Sequence, residues 1–260
     1  MMKNLTGPGI NAAAYAAQHY VASAVLSFGL AILLFCACST VTMSPQEMQD
    51  FNQKHVAEVL LKARTGDVNA QLSASLIYSS GTYGVPQNNA EALKWLRTAA
   101  DSGDLTARMR LAAAYRFGTL GLQKDTAEAI ARYRAIMSGP ADPKAASVAR
   151  GNAAFALGDI YERDLGGGAD YIAQALQFYE IAVADKMMSA ATRLATLYEQ
   201  GRVVPRSLVD AYKWRRILES YVGQAVAATQ VELKRMQEAM SPEEVSRAET
   251  AAREWMAAHR

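Results

Sequence analysis

The residues that could do chemistry are few, and the three histidines are the first to consider. His19, His55 and His259 lie far apart in this 260-residue chain, so no two of them have the spacing of metal ligands. His55 is the only histidine of the main body that could act as a base, and no Gly-x-Ser-x-Gly or Ser-x-x-Lys motif there supplies a nucleophile. The sequence therefore predicts no catalytic residue, no bound metal and no cofactor.

Two cysteines, Cys36 and Cys38, lie near the N-terminus, and they are the only cysteines of the chain. The main body consequently has no disulfide framework and no thiolate metal site. The cysteines close an apolar run, residues 21–37, inside an uncharged segment, residues 4–46. That run would form about 25 Å of helix, at the short end of what crosses a bilayer. With Lys3 before it, the run has the pattern of an export signal.

The residues around these cysteines resemble the cleavage box of bacterial lipoproteins. In that family a small residue precedes the cysteine that is cut and acylated, as Ala37 precedes Cys38. Bulky Phe35 makes Cys36 the poorer acceptor, and both Phe35 and Cys36 depart from the residues common at their positions. The resemblance implies lipidation at Cys38.

The same resemblance implies a location. Residues 1–37 would be a cleavable signal peptide and residues 38–50 a polar, lipidated tether. The chain would then be anchored to a membrane of the bacterial cell envelope and face the periplasm. Two other interpretations stay open at this point: an uncleaved membrane anchor or packed helix in place of the signal peptide, and a cytoplasmic chain translated from Met43.

The main body contains four copies of one pattern. Its clearest markers are tyrosines separated by 37, 46 and 37 residues, namely Tyr78, Tyr115, Tyr161 and Tyr198. Small or apolar residues eight, four and three positions before each tyrosine fall on one face of a helix. In three copies a glycine follows three positions after the tyrosine, where a helix end favours a left-handed residue. Each copy therefore predicts two helices joined by a turn.

Two of the copies carry a more specific motif. Residues 81–104 and 201–220 both show Gly, then Val-Pro, then Ala-x-x-Trp, with Trp95 and Trp214 at the last position. This motif resembles the Sel-like repeat (SLR) family, relatives of tetratricopeptide repeats with a longer and variable period. The resemblance implies an all-α, right-handed α/α solenoid. One helix pair cannot bury its apolar face alone, so the pairs must stack, with the tyrosines and tryptophans in the core.

This interpretation divides the main body into repeats and caps. The four repeats are expected at residues 67–104, 105–139, 145–186 and 187–220. A capping helix is expected at residues 51–66 and further capping helices at residues 221–260, the last of them starting with a capping box at Ser241.

The third copy departs from the pattern in two ways. Asp164 replaces the glycine, and three glycines follow at residues 166–168, which predicts an altered turn. Nine additional residues precede its tyrosine, and they fall around residues 139–147, which include two prolines and a glycine. This composition predicts a surface loop that locally opens the superhelix.

Composition excludes some functions. The chain has 27 Lys and Arg against 25 Asp and Glu, so it lacks the basic surplus of a nucleic-acid binder. Its hydrophobic fraction of 51% is too high for a disordered chain.

Protein binding is the function that remains. In related solenoids the first helices line the concave face, and the residues there that are most typical of an interface are Arg and Phe. The candidates in the second to fourth copies are Arg116, Phe117, Asp159, Glu162, Arg163 and Glu199. Arg116 could alternatively form an ion pair with Glu162 or Asp159 between repeats. The sequence favours a non-enzymatic scaffold that holds a protein partner in the envelope, over a peptidoglycan-directed envelope enzyme or a cytoplasmic adaptor of the same fold.

Overall fold

The structure is a computed structural model that describes residues 43–139, 143–166, 168–222 and 227–259. The expected signal peptide and the lipidation site at Cys38 lie outside the described residues. The helices described below all belong to one compact unit, Ser44–Arg260.

The described residues form eleven α-helices and one π-helical turn. In chain order they are α1 (Pro45–Arg64), α2 (Val68–Ser80), α3 (Asn89–Asp101), α4 (Leu105–Phe117), α5 (Thr126–Ser138), α6 (Pro143–Asp159), the π-helical turn (Ile160–Asp164), α7 (Ala169–Ala184), α8 (Met188–Gln200), α9 (Leu208–Val222), α10 (Ala227–Glu238) and α11 (Pro242–Ala258).

The helices form four stacked pairs, each with a first helix (α2, α4, α6 and α8) and a second helix (α3, α5, α7 and α9). Small residues at the predicted positions are fully buried where the helices cross, for example Ala74, Ala112 and Ala195. The buried side chains fall into several clusters along the stack. This arrangement confirms the predicted all-α solenoid with helical caps.

The turn between the two helices is the same in three repeats. In these three repeats the first helix ends on a glycine with positive φ, as α4 does on Gly118 at 66°. The chain then returns so that the residue capping the second helix donates its backbone N–H to the carbonyl of the repeat tyrosine. These bonds are Asn88 to Tyr78 at 2.7 Å, Asp125 to Tyr115 at 2.8 Å and Ser207 to Tyr198 at 2.9 Å.

The third repeat has the altered turn that the sequence predicts. Instead of ending on a left-handed glycine, α6 continues into the π-helical turn, which ends at Asp164. The expected loop around residues 139–147 is wrong in extent, because α6 already begins at Pro143. Proline is as compatible with the first turn of a helix as with a loop. Most of the additional residues therefore lengthen the helical path to the tyrosine, since Tyr161 lies 18 positions after the start of α6 whereas Tyr115 lies 10 after the start of α4.

The N-terminal capping helix is longer than expected. It begins at Pro45 and not at residue 51, so the tether predicted for residues 38–50 ends before Ser44. The cause is a capping box: the Ser44 side chain accepts a hydrogen bond from the Glu47 N–H, and the Glu47 carboxylate accepts one from the Ser44 N–H. Proline at the first helical position strengthens this start.

The C-terminal end follows the predicted pattern. The last helix, α11, starts with the capping box at Ser241, where Glu244 is the reciprocal partner. Trp255 of α11 packs edge-on against Trp214 at a ring distance of 5.5 Å, which fixes α11 on the fourth repeat.

A candidate protein-binding face on the first helices

The predicted binding residues lie on α4, the end of α6, the π-helical turn and α8, and those before α8 contact one another. We call the surface of these first helices, continued onto α10, the first-helix face. Its candidate residues differ greatly in accessibility: Phe117 and Arg163 are exposed, whereas Arg116 and Glu162 are buried. The face therefore has a buried layer that contains Arg116 and Glu162, and above it an exposed layer that contains Phe117 and Arg163.

Arg116 is the centre of the buried layer. Its guanidinium donates to Asp159 Oδ2 at 2.6 Å and to Asp164 Oδ2 at 2.8 Å. Burial on its own would lower the pKa of Arg116, but the two carboxylates outweigh burial, and its pKa is raised. The predicted inter-repeat ion pair is thus present with Asp159, while its second partner is Asp164 and not Glu162. Arg116 itself is too enclosed to contact a partner, which corrects its assignment as a binding residue.

The substitution of Asp164 for glycine explains this arrangement. In the other repeats the residue three positions after the tyrosine is a left-handed glycine that carries no side chain, such as Gly118. In the third repeat the π-helical turn brings a carboxylate to that position, within hydrogen-bonding distance of Arg116 from the preceding repeat. The irregular turn therefore cross-links two neighbouring repeats.

Glu162 is also enclosed by contacts within the chain. It accepts hydrogen bonds from Arg193 Nε and from the Tyr179 hydroxyl, both at 2.8 Å. Burial would raise the pKa of Glu162, but these donors outweigh it, so its pKa is lowered. Tyr179, buried and bound to a carboxylate, has a raised pKa. Glu162 thus links the third repeat to the fourth and does not face solvent, which corrects its assignment as a binding residue.

Two of the predicted residues are accessible to a partner. The Phe117 side chain is 63% exposed, and the Arg116 guanidinium carbon lies 4.9 Å from its ring, within the range of a cation–π contact. The Nε of Arg163 lies 3.0 Å from Asp159 Oδ1 in an ion pair, and about half of the Arg163 side chain is in solvent. Asp159 therefore joins the exposed arginine to the buried one.

Glu199 directly follows the tyrosine of the fourth repeat, as Arg116 and Glu162 follow the tyrosines of the second and third repeats. It accepts a hydrogen bond from Arg215 at 3.0 Å and forms an ion pair with Arg235 of α10. Burial would raise the pKa of Glu199, but these two arginines outweigh it, so its pKa is lowered. The sequence pattern did not indicate the three arginines of this network, Arg193, Arg215 and Arg235. Charged residues on partly buried helices follow no hydrophobic period.

The repeat aromatics that the sequence places in the core differ in their burial. Trp214 and Tyr161 are buried, whereas Tyr78, Tyr115, Tyr198 and Trp95 are half-buried. The indole N–H of Trp95 is enclosed without a hydrogen-bond partner among the described residues. In the second repeat Arg132 stands at the tryptophan position and stacks on the ring of Tyr115 at 4.7 Å.

The two histidines among the described residues pack against aromatic rings. His55 lies between the rings of Phe51 and Tyr83, and His259 stacks on Trp255 at 4.2 Å. Over the described ranges, no group of three or more His, Cys, Asp or Glu residues could hold a metal ion. No helix in those same ranges is long and apolar enough to cross a membrane.

The family model of the Sel1 repeat matches four segments of this chain, residues 68–104, 106–131, 151–185 and 189–214. Each segment falls on one helix pair, α2/α3, α4/α5, α6/α7 or α8/α9. The chain therefore carries four Sel1 repeats, as the Val-Pro and Ala-x-x-Trp motifs predicted. Sel1 repeat proteins are generally protein-interaction scaffolds and typically non-enzymatic.

Two crystal structures are similar to this chain. A Sel1 repeat protein from Oxalobacter formigenes has a TM-score of 0.54 at 22% identity, over 82% of this chain and 91% of that one. A protective antigen present in uropathogenic Escherichia coli strains, which displays an SLR fold, has a TM-score of 0.36 at 18% identity, over 80% of this chain and 51% of that one. The first similarity shows the fold alone. No curated protein matches the chain.

Proposed function

We propose that this chain is a non-enzymatic scaffold that holds a protein partner on its first-helix face. The observation that carries the proposal is the pairing of Phe117 and Arg163, two exposed side chains joined through Arg116 and Asp159. Aromatic rings and arginines are the residue types that most often dominate the energy of protein interfaces. The charges beneath them hold both side chains in place. The surface is therefore preorganised, and binding a partner would cost it less conformational entropy.

The buried charges support a structural role for the rest of this face. Arg116 and Glu162 neutralise their partners within the chain. A binding surface made of stacked helices suits an extended polypeptide better than a reactive small molecule.

We further propose that the scaffold acts at the bacterial cell envelope. Ala37 before Cys38 supports acylation of Cys38, after removal of residues 1–37. Stable anchoring requires two acyl signals, which a triacylated cysteine would meet. The capping box at Ser44 begins the first helix only six residues after Cys38, so the tether is short and would hold the solenoid near the membrane.

Acylation tests the envelope proposal. Cys38→Ala should abolish incorporation of a palmitate analogue and release the protein from the membrane fraction, because it removes the acceptor sulfur. Cys36→Ala is the matched control and should leave both unchanged. Label retained in Cys38→Ala would contradict lipidation at this residue.

Affinity capture tests the scaffold proposal. The lipidated protein should capture a discrete partner from envelope extract, and Phe117→Asp should lose that partner because it replaces an exposed aromatic contact with a charge. Leu61→Asp, which alters an equally exposed residue of α1, is the control. Identical captured proteins from all three chains would contradict a partner on the first-helix face.

A further inference from the structure

Two carboxylates of the first-helix face, Asp159 and Glu199, each pair with one buried and one exposed arginine. Asp159 pairs with Arg116, whose side chain is 8% exposed, and with Arg163, which is 54% exposed. Glu199 pairs with Arg215, which is 15% exposed, and with Arg235, which is 53% exposed. Both carboxylates are themselves largely covered, at 19% and 22%. Each pairing thus has a buried arginine and an exposed one.

In each pairing the two arginines have different roles: the buried one stabilises the carboxylate, and the exposed one is accessible to a ligand. The buried arginine lies against the carboxylate where charges are poorly solvated, so it supplies the partner that a covered carboxylate needs. The exposed arginine makes a solvent-accessible pair, which contributes little to stability. Its hydrogen-bonding capacity is therefore available to another molecule.

The exposed arginines still have donors to offer. Arg163 forms its ion pairs with Asp159 and Glu162 through Nε, and neither of its terminal nitrogens has a hydrogen-bond partner among the described residues. Arg206 lies near Glu199, is exposed, and uses its Nε on the Glu199 carbonyl at 3.2 Å. A guanidinium has five N–H donors in a fork that matches a carboxylate. Arg235 also donates to Glu232 of its own helix through Nε and Nη2, at 2.9 and 2.8 Å, and its Nη1 has no hydrogen-bond partner among the described residues. Each of the three exposed arginines therefore keeps at least one terminal nitrogen that could donate to a ligand.

We propose that the first-helix face binds an acidic polypeptide segment in an extended conformation. This inference rests on the proposed scaffold function and names the chemistry of its partner. Aspartate or glutamate side chains of the segment would accept hydrogen bonds from Arg163, Arg206 and Arg235. These arginines and Phe117 form a row along the first-helix face. Phe117, at the α4 end of this row, would contact one apolar side chain of the segment and so set its register.

The dimensions of the face set the length of the segment. The row runs from α4 across the π-helical turn and α8 to α10, which is three helix-to-helix steps. At about 10 Å for each step the row is about 30 Å long. An extended chain covers it with about nine or ten residues.

Binding of a defined peptide tests the inference. The probe is a fluorescent peptide of about ten residues, made of glutamate with one leucine near an end, and its matched controls carry glutamine or lysine in place of glutamate. The full-length chain in detergent micelles should bind the glutamate peptide, and salt should weaken this binding. It should bind the glutamine and lysine peptides at least tenfold more weakly.

Variants locate the peptide on the face. Arg163→Gln and Arg235→Gln should each weaken binding roughly three- to tenfold, and more together. Both leave the covered carboxylate with its buried arginine, so the fold should be kept, as circular dichroism would verify. Arg163→Lys, which keeps the charge, should retain most of the binding. Arg253→Gln, which changes an exposed arginine of α11, is the control and should bind normally.

Several results would overturn the inference. These are equal binding of the lysine peptide, unchanged binding by the double variant, an equal loss in Arg253→Gln, or tighter arginine-dependent binding of a single-stranded oligonucleotide. If the glutamate peptide fails to bind while capture of a protein from envelope extract still requires Phe117, the acidic segment is rejected and the scaffold function stands. If both fail, the scaffold function fails as well.

Discussion

Gly158 of α6 lies directly against the ring of Tyr179 in α7. A Cβ atom added at Gly158 would lie 2.6 Å from Tyr179 Cε1 and 2.7 Å from Cδ1, closer than Cβ atoms pack in proteins. The ring is not free to turn away, because the Tyr179 hydroxyl donates to Glu162 at 2.8 Å. α6 and α7 can therefore pack this closely because residue 158 has no side chain.

The first prediction is that Gly158→Ala destabilises the protein. Alanine within a helix normally gains about 0.5–1 kcal/mol over glycine, whereas overpacking costs typically 1–3 kcal/mol, so the clash should outweigh the gain. The measurement is the midpoint of urea unfolding. Gly139→Ala is the matched control, because a Cβ there would lie at an ordinary 3.5 Å from its nearest neighbour. A Gly158→Ala midpoint at or above the wild-type value would show that the crossing has room.

The second prediction concerns Trp95 and Trp214, which lie in separate apolar clusters. Trp95 packs beside Ala63 and Ala74, while Trp214 belongs to the larger cluster around Tyr179. Trp214→Ala should cost about 3–5 kcal/mol because Trp214 is fully buried. Half-buried Trp95 should cost less. Their costs should add within about 0.5 kcal/mol, since the two sites share no contacts.

Denaturant melts of the two single variants and the double variant measure this additivity. A coupling free energy above about 1 kcal/mol would mean that the two tryptophans belong to one cooperative cluster, and it would contradict the extended stack.

The fold was predictable from the sequence because its determinants are periodic. Tyr115 and Tyr198 stand where the register of the helices requires bulk, and glycines such as Gly118 mark where helices end. Only part of the charge network was predictable: the pair of Arg116 with Asp159 was predicted, whereas the second partner of Arg116 is an aspartate 48 residues away, at a position that holds glycine in the other repeats. Nothing in the spacing of Asp164 indicated that the helix would continue through it. The buried state of Arg116 depends on that continuation.

The third prediction is a pH dependence that comes from Glu162. Its pKa is lowered in the folded protein, because Arg193 and Tyr179 outweigh the effect of burial. A carboxylate with a lowered pKa stabilises the fold at pH values above its unfolded pKa and loses this contribution as the pH falls through its folded pKa. Glu162→Gln should therefore lower the free energy of unfolding at pH 7 by about 1.5–3 kcal/mol.

The difference between wild type and Glu162→Gln should shrink as the pH falls below 4.5, the ordinary value for glutamate. Urea unfolding at neutral and acidic pH measures both chains side by side. A difference that stays constant across this range would mean that the charge of Glu162 does not contribute to stability.

The fourth prediction concerns the capping box of α11. Ser241→Ala removes the acceptor for the Glu244 N–H and should cost about 1 kcal/mol, with no change in partner binding. Ser246→Ala, at an exposed position inside the same helix, should be neutral or slightly stabilising, because alanine is the better helix former. Equal unfolding midpoints for wild type and Ser241→Ala would show that this cap does not contribute.

The most direct test of a partner on the first-helix face is photo-crosslinking at Phe117 in living bacterial cells. A photoreactive residue at Phe117 should give a discrete crosslinked protein, and the same residue at Leu61, which has the same 63% exposure, should not. Adding Arg163→Gln and Arg235→Gln to the Phe117 probe should remove the product. No discrete product at Phe117, or the same product from Leu61, would contradict a partner held on this face.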